Sequence, residues 1–358
     1  MGLRAVATQG AGTAGPGGPG EGLSPAAGRA AWSVLARSAA VSMVARRLLI
    51  AIPVVWGVTF LTFCLMNLLP GDAAVQLLGA GATSQQIRDL TLALHLNEPF
   101  ADRYWHWLHG VLTGNLGTSL LNGEAVSSII AAHIPVTLEL VIYALILALG
   151  ASVLLAVAAA IHPGGLVDRL ITFVTMVGFA IPNFVLALVL IIVFAVEMHV
   201  FPAVGYVALT ADPWQSIRTM TLPAVSLASI LGCFYTRLLR GDLVDQMLSQ
   251  DYVLTARAKG LPRWLIVIKH ALRNSLLGMV TVVALNLGAL IGGTVIIEQV
   301  FGLGGIGSLL LQSINDRDIA VVEAVVLIVA AVVVCANLLV DLLYTVLDPR
   351  IRHGRNHP

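Results

Sequence analysis

Charged residues divide the chain into long stretches that contain no Asp, Glu, Lys or Arg. Six of these stretches are rich in Leu, Val, Ile and Ala and contain few turn residues: 48–71, 140–167, 170–196, 219–236, 274–297 and 324–340. A helix of about 20 apolar residues crosses the roughly 30 Å of hydrocarbon in a membrane. The pattern therefore predicts an all-α integral membrane protein with about six transmembrane helices.

Composition and charge placement support this fold class. Of the 358 residues, 58% are hydrophobic and 11% are charged, whereas soluble domains average about 25% charged residues. Lys and Arg collect in the cytoplasmic segments of membrane proteins. If the N-terminus lies in the cytoplasm, 16 of the 20 basic residues fall in cytoplasmic segments. This distribution predicts a multi-pass protein with both termini in the cytoplasm.

The chain is predicted to contain an N-terminal extension, a transmembrane domain and a short cytoplasmic tail, over residues 1–42, 43–352 and 353–358. The extension is rich in Gly, Ala and Pro and is predicted to be disordered. Met43 begins a natural first membrane segment, so the mature protein either contains residues 1–42 or lacks them. The transmembrane domain has a long outside loop, about 70–133, and a long cytoplasmic loop, about 237–275.

The cytoplasmic loop contains an amphipathic two-helix pattern in "DYVLTARAKGLPRWLIVIKHALRNSL". Asp251 begins one helix, Gly260 ends it, and Pro262 begins the next. The second helix has an apolar face and a basic pair, consisting of Trp264, Ile268 and Leu272, and of Lys269 and Arg273. Such a segment either lies on the membrane surface or docks into a groove on a soluble partner.

A glycine cluster in "VFGLGGIGSLL" has the spacing G-x-G-x-x-G, formed by Gly302, Gly304 and Gly307. This spacing alone is typical of a dinucleotide-binding turn. Its surroundings argue against one, because no βαβ unit encloses it and no acidic residue follows a strand about 20 positions later. The chain also contains no G-x-x-x-x-G-K-[ST] sequence, so we expect any ATPase to be a separate protein.

Several polar or small residues inside the apolar stretches are candidates for functional or packing roles. Pro182 and Asn183 lie within the third stretch, where proline allows a kink that either serves helix packing or shapes a translocation path. Asn286 is the polar residue deepest in the fifth stretch and is a candidate for the same path. Gly288 and Gly292 form G-x-x-x-G, which predicts close helix packing.

Other chemically active side chains are predicted to have ordinary roles. Four acidic residues near the ends of the stretches are interpreted as interfacial rather than as a proton relay: Glu139, Glu298, Glu323 and Asp341. Three widely separated cysteines are interpreted as small buried apolar residues. His106 and His109 lie three positions apart on one helical face and could bind a metal together, but no third ligand is near them in the sequence, so no metal site is predicted. No catalytic residues are predicted.

The cytoplasmic pattern resembles the coupling loop of permease subunits of binding-protein-dependent ABC importers. The sequences "TARAKGL" and "HALRNSL" resemble those of the oligopeptide/dipeptide/nickel branch of this family. The general motif of the family is E-A-A-x-x-x-G followed by I-x-L-P, and this chain departs from it at Leu254, Thr255, His270 and Arg273. The resemblance runs from about Ala45 to Arg352. It includes "GNLGTSL", "IPVTLEL", "GFAIPNF", "IEQVFGLGGIGSLLLQSINDRD" and "NLLVDLLYTVLDPRIR" in that order.

This resemblance implies a bacterial inner-membrane importer subunit with a coupling helix between transmembrane helices 4 and 5. The coupling residues it implies are Ala256, Arg257, Ala258, Lys259, Gly260, Leu261 and Arg273. It also implies four kinds of partner: a second related permease, two cytoplasmic ATPase subunits or domains, an extracytoplasmic, lipid-anchored substrate-binding protein, and membrane lipid. ATP and Mg would bind the ATPases, this chain would hold no cofactor, and no nucleic acid is involved.

The resemblance favours short peptides as the transported solute. Nickel chelates, glutathione and other peptide-like solutes stay open as alternatives within the same class of transporter. A passive channel or an ion-coupled carrier is the alternative from another class, and it predicts ionisable residues in the middle of the membrane spans. The six stretches contain none.

Overall fold

The computed structural model describes residues 25–68, 82–93 and 97–347. The described segments are built from α-helices, two of which continue as short π-helices, Ile191–Glu197 after α6 and Val267–Ala271 after α9. The helices are α1 (Pro25–Leu68), α2 (Ser84–Ala93), α3 (Phe100–Leu112), α4 (Val126–Ile161), α5 (Leu166–Ala180), α6 (Asn183–Leu190), α7 (Pro213–Ser249), α8 (Asp251–Ala258), α9 (Arg263–Ile266), α10 (Leu272–Leu285), α11 (Leu287–Phe301), α12 (Ile306–Asn315) and α13 (Ile319–Leu347).

The chain divides into two units, residues 1–46 and 47–358. The first unit is described from Pro25, where the backbone is already helical. The sequence from Pro25 onward is rich in Ala, the residue with the highest helix propensity, and the disorder predicted for residues 1–42 stays a prediction. Residues 1–24 and the predicted tail, 353–358, lie outside the described residues.

The predicted all-α membrane class is confirmed by the lengths of the apolar helices. Within the described residues, five helical segments are long and apolar enough to cross a membrane, or up to seven if each of two bent helix pairs is one span. The five segments are Ala45–Leu68, Val126–Ile161, Pro213–Ser249, Arg263–Leu285 and Ile319–Leu339. The bent pairs are α5 with the α6 segment, at 101°, and α11 with α12, at 74°.

The helices do not end where the charged residues end the apolar stretches. The second span begins at Val126 rather than at 140, and it ends at Ile161, before a turn that contains Pro163. Helix α7 continues through the charged residues after 236 and ends at Ser249. The first part of the predicted cytoplasmic loop is therefore the end of a long helix. A charged side chain does not by itself end a helix, so the ends of the uncharged stretches do not mark the ends of the helices.

A stripe of mainly small residues on α4 forms the centre of the core. From Val136 to Ala160, every fourth residue is almost completely buried, namely Val136, Leu140, Ala144, Ala148, Ser152, Ala156 and Ala160. Helix α7 approaches this stripe closely, since a Cβ atom added to Gly232 would lie 3.6 Å from the Cα of Ala148. Membrane helices pack through small residues because these let the backbones come close together.

Helices α4 and α7 run in the same direction. Near the start of both, the amide of Leu209, which precedes α7, lies 3.4 Å from the carboxylate of Glu139. Near their far ends, Arg240 of α7 binds Asp168, which follows the end of α4. A second, smaller apolar cluster joins the start of α4 to α12 and α13, and it contains Val126, Ile130, Ile306, Leu309, Val321, Ala324 and Val325.

Candidate functional site

Helices α8 and α9 meet at a turn around Gly260, in the segment predicted to couple to a partner. Gly260 has a φ of +75°, which costs about 1–2 kcal/mol for a residue that carries a Cβ atom. The Gly260 amide donates to the carbonyl of Arg257 (2.9 Å), and the Leu261 amide donates to that of Ala256 (3.3 Å). These bonds satisfy the last carbonyls of α8 in a Schellman C-cap. Pro262 is then the N-cap residue of α9.

The inner face of this element is joined to the core and to two long helices. Val253 and Ala256 are buried in the main apolar cluster. The Tyr252 hydroxyl donates to Gln246 Oε1 (2.5 Å), and Gln246 Nε2 donates to Ser275 Oγ (2.8 Å). Because Gln246 lies on α7 and Ser275 on α10, displacement of α8 acts on both of these helices.

The outer face exposes apolar and cationic side chains together. About half of each of three large apolar side chains is exposed: Leu254 (55%), Trp264 (52%) and Ile268 (47%). Four basic residues beside them are exposed and form no ion pair with any described residue, namely Lys259, Arg263, Lys269 and Arg273. Exposed apolar area rimmed by polar groups is typical of a surface that another protein covers.

Two details of this element differ from the sequence interpretation. Ala256 is 6% exposed, so it supports the turn from inside, and the exposed Arg257 donates one hydrogen bond to the carbonyl of Met247 (2.8 Å). The π-helix Val267–Ala271 also adds a residue to one turn. The apolar face expected from Trp264, Ile268 and Leu272 is divided, because Leu272 packs partly against the core while Ile268 is exposed.

An ion pair in which the carboxylate is buried and the guanidinium is one-third exposed was missed by the sequence interpretation. Arg240 Nε and Nη2 donate to the two carboxylate oxygens of Asp168, at 2.8 and 2.7 Å. The Gly164 amide donates to the same carboxylate (2.8 Å), and Asp168 is 2% exposed. The pair fixes the turn before α5 to α7. The two residues are 72 positions apart, so no local spacing links them in the sequence.

Pro182 and Asn183 lie at the break between α5 and α6. The helix axes differ by 101° at this break, so the predicted kink is close to a right-angle change of direction. Asn183 lies beside α11, because a Cβ atom added to Gly293 would be 3.9 Å from Asn183 Nδ2. The Asn183 amide group therefore lies between the α5–α6 break and α11, which belongs to the second bent helix pair.

Asn286 is the residue at which α10 ends and α11 begins. Its Nδ2 donates to the carbonyl of Val282 (2.8 Å), and its side chain interacts with the hydroxyl of Tyr235 on α7, which is 1% exposed. Asn286 and Gly293 are about 10 Å apart along α11. Asn286 at the start of α11 and Asn183, which approaches α11 at Gly293, are therefore about two helical turns apart along α11.

Only one glycine of the predicted pair on α11 lies close to another helix of this chain. A Cβ atom added to Gly288 would lie 3.4 Å from Val333 Cγ1 of α13, whereas one added to Gly292 would have nothing within 4 Å. At Gly293 a Cβ atom would lie 3.2 Å from Leu227 Cδ1 of α7. Among the glycines of α11, Gly288 and Gly293 therefore approach other helices of this chain closely, and they face different neighbours.

Two of the four acidic residues at the span ends are buried inside the protein rather than exposed, whereas the interfacial position predicted for all four stays a prediction. Glu298 and Glu323 are buried, at 0% and 2% exposure. Glu139 is half-buried, and the side chain of Asp341 lies outside the described residues. The β-branched run before the glycine cluster forms the end of α11 rather than a strand. In the part of the chain that the structure describes, no three His, Cys, Asp or Glu side chains are grouped to hold a metal.

Comparison with known proteins gives two family matches and several close relatives. Residues 152–353 match the family described as the binding-protein-dependent transport system inner membrane component, and residues 40–141 match its N-terminal family. The chain is 36% identical over 328 residues to the dipeptide transport system permease protein DppB of Alkalihalophilus pseudofirmus, which covers 86% of this chain and 98% of that protein.

Two further relatives show similar coverage. The oligopeptide transport system permease protein AppB of Bacillus subtilis is 37% identical over 311 residues, which cover 86% of this chain and 98% of AppB. The glutathione transport system permease protein GsiC of Salmonella typhimurium is 36% identical over 310 residues, covering 87% of this chain and 98% of GsiC.

Proposed function

Because the chain belongs to the family of binding-protein-dependent transport system inner membrane components, we propose that it is the permease subunit of an ATP-driven importer of short peptides. The single observation that carries this proposal is its alignment over nearly the whole length of permeases named for dipeptide and oligopeptide transport. The chain forms half of the translocation path, and a second, related permease forms the other half. The protein lies in the bacterial inner membrane, and both of its termini lie in the cytoplasm.

The α8–α9 element is the part that couples transport to ATP hydrolysis. ATP and Mg bind two separate cytoplasmic ATPase subunits, and their closure pushes on the exposed face around Ala258, Lys259 and Gly260. Leu254, Trp264 and Ile268 supply apolar contacts on that face, and Arg257 and Arg273 supply polar ones. The hydrogen bonds from Tyr252 through Gln246 support this role, because they join the element to α7 and α10.

The translocation path runs past the broken helices. Pro182 and Asn183 at the α5–α6 break, together with Asn286 between α10 and α11, place polar groups along α11 where the backbone is already interrupted. A helix break frees backbone groups that need polar partners, and such breaks occur in membranes where they face protein or a water-filled cavity. An extracytoplasmic, lipid-anchored binding protein delivers the peptide to the outer end of this path.

Glutathione is a second candidate solute, and the similarity to GsiC favours it. Glutathione carries a peptide backbone, so the two candidates share their chemistry. Specificity lies largely on the separate binding protein, which selects the solute before it reaches this chain.

The first test is affinity purification of the tagged chain in mild detergent, with partners identified by mass spectrometry. Recovery of an ATPase with a phosphate-binding loop, a second permease and a binding protein is the expected result. The purified binding protein is then titrated with a dipeptide panel and with glutathione by calorimetry. Recovery of the folded chain by itself contradicts the proposal and favours a channel or carrier.

A further inference from the structure

Glu298, near the end of α11, is a completely buried carboxylate whose two oxygens are both engaged. Its Oε1 accepts a hydrogen bond from Thr137 Oγ1 of α4 (2.6 Å), and its Oε2 accepts one from the backbone amide of Ser308 in α12 (2.9 Å). A buried carboxylate is stable only when such donors replace water. Here the donors come from two helices that are distant in sequence from each other.

Thr137 completes the arrangement because its hydroxyl also accepts a hydrogen bond. The amide of Ile306, the first residue of α12, donates to Thr137 Oγ1 at 2.8 Å. The first amides of a helix have no partner within the helix and carry partial positive charge. The Glu298 carboxylate and the Thr137 hydroxyl together satisfy two of these amides, so they act as a long-range N-terminal cap of α12.

The glycine cluster makes room for this contact. A Cβ atom added to Gly305 would lie 2.5 Å from Glu298 Oε1 and 2.6 Å from Thr137 Oγ1, and one added to Gly307 would lie 2.6 Å from the Cα of Val295. The absence of side chains at Gly305 and Gly307 therefore leaves room for the Glu298 carboxyl group beside the start of α12.

The contact lies where the two apolar clusters meet. Ile297 and Phe301 beside Glu298 belong to the main cluster, whereas Ile306 and Leu309 on α12 belong to the smaller cluster with α13. The hydrophobic effect is non-directional, whereas the hydrogen bonds of Glu298 act in fixed directions between α4, α11 and α12.

We propose that Glu298 is a positioning residue of the transport cycle: through Thr137 and the start of α12, it makes α4, α11 and α12 move as one body. This inference rests on the proposed function for its transport consequence, and on the contacts of Glu298 alone for the joint itself. Residues Thr137, Glu298, Gly305, Ile306 and Ser308 are called the joint below.

The joint is tested first by cysteine accessibility, which does not depend on any substrate. Cys64, Cys233 and Cys335 are replaced by alanine in the full complex, and Ser313→Cys is introduced on the buried face of α12, where Ser313 is 4% exposed. We expect N-ethylmaleimide to label this cysteine at least roughly tenfold faster in Glu298→Gln, since loss of a charge-assisted bond changes an equilibrium by about that factor. Gln312→Cys, which is exposed, is the matched control and labels equally in both backgrounds.

Thr137 supplies conservative and disruptive variants at the same position. Thr137→Ser keeps the hydroxyl and preserves slow labelling of Ser313→Cys, whereas Thr137→Val keeps the shape, loses the hydroxyl and accelerates labelling. A general loss of packing moves both variants alike. Unchanged labelling in Glu298→Gln, or equal labelling in the two Thr137 variants, overturns the joint.

The transport consequence is measured in proteoliposomes as uptake of tritiated dialanine, normalised to inserted protein, beside basal ATP hydrolysis. Glu298→Gln and Thr137→Val are expected to reduce uptake roughly tenfold with basal hydrolysis unchanged, and Thr137→Ser is expected to restore uptake. Accelerated labelling with normal uptake overturns the positioning role. If the unmodified complex takes up neither dialanine nor glutathione, the proposed solute fails, while the labelling experiment still decides whether the joint exists.

Discussion

The joint and the α8–α9 element, called the coupling element below, each lie beside a turn between two helices, but the surroundings of the two turns differ. In both, a helix ends at a glycine with a left-handed backbone, Gly302 at φ +57° and Gly260 at φ +75°, and a new helix begins a few residues later. Around the first turn, the start of the next helix meets Glu298 and Thr137. Around Gly260, an added Cβ atom would meet nothing within 4 Å.

This difference indicates which surfaces the chain completes by itself. At the joint, the polar groups that the helix break leaves open are satisfied by buried side chains of the same chain. At the coupling element, the backbone cap is complete, but the cationic and apolar side chains face outward without an ion-pair partner among the described residues. The first turn is closed by contacts within the chain, whereas the second leaves apolar and cationic side chains exposed, as the docking surface proposed above requires.

The largest effect on stability is expected at Gly307, beside the joint. Gly307→Ala places a carbon 2.6 Å from the Cα of Val295, and main-chain atoms cannot move away cheaply, so unfolding becomes easier by about 3 kcal/mol. Thermal unfolding of the purified complex measures this change. Gly292→Ala adds the same atom where nothing lies within 4 Å, and equal melting temperatures for the two variants would show that the joint is not tightly packed.

A smaller effect is expected at the ion pair between Asp168 and Arg240. Asp168→Asn removes the buried charge of a bidentate pair and leaves the partly exposed Arg240 without its carboxylate, which costs about 2 kcal/mol of stability. The measurement is again thermal unfolding. Asp245→Asn makes the same change at an exposed position of α7 and should leave the melting temperature unchanged. If both variants melt together, the ion pair does not hold α5 to α7.

Gly260→Asp is expected to affect the fold less and coupling more. The left-handed backbone costs the new residue about 1 kcal/mol, and the added negative charge changes a cationic surface. We expect the complex to remain inserted and to hydrolyse ATP while peptide uptake is lost. Gly241→Asp introduces the same charge at an exposed helical glycine and is expected to preserve uptake. Normal uptake by Gly260→Asp refutes the mechanical role of this turn.

The smallest effect on the fold is expected at Trp264. Because this side chain is 52% exposed, Trp264→Ala changes stability by less than about 0.5 kcal/mol, yet it removes the largest apolar contact that the coupling element offers. Retention of the ATPase during affinity purification is expected to fall. Trp105→Ala, which removes an exposed tryptophan of α3, serves as the control, and equal retention in both variants argues against docking at Trp264.

Local chemistry explains which features were predictable from the sequence. The apolar stretches predicted a helical membrane protein because a span depends on length and hydrophobicity alone. The break at Gly260 and the new helix after Pro262 were predicted because backbone preferences act within a few residues. The break at Pro182 was predicted for the same reason, although its angle of 101° depends on the helices that surround it.

The partners of the buried charged groups were decided only by the tertiary structure. Glu298 has the same local setting as an interfacial residue, and only the folded chain brings Thr137, 161 positions away, and the start of α12 within hydrogen-bond distance. Asp168 and Arg240 meet in the same way across 72 positions. The sequence by itself determined that the chain is helical and apolar enough to span a membrane, and that helices break at Pro182 and Gly260, since these features depend on neighbouring residues. Which breaks are closed by the chain and which remain open to a partner depended on long-range packing.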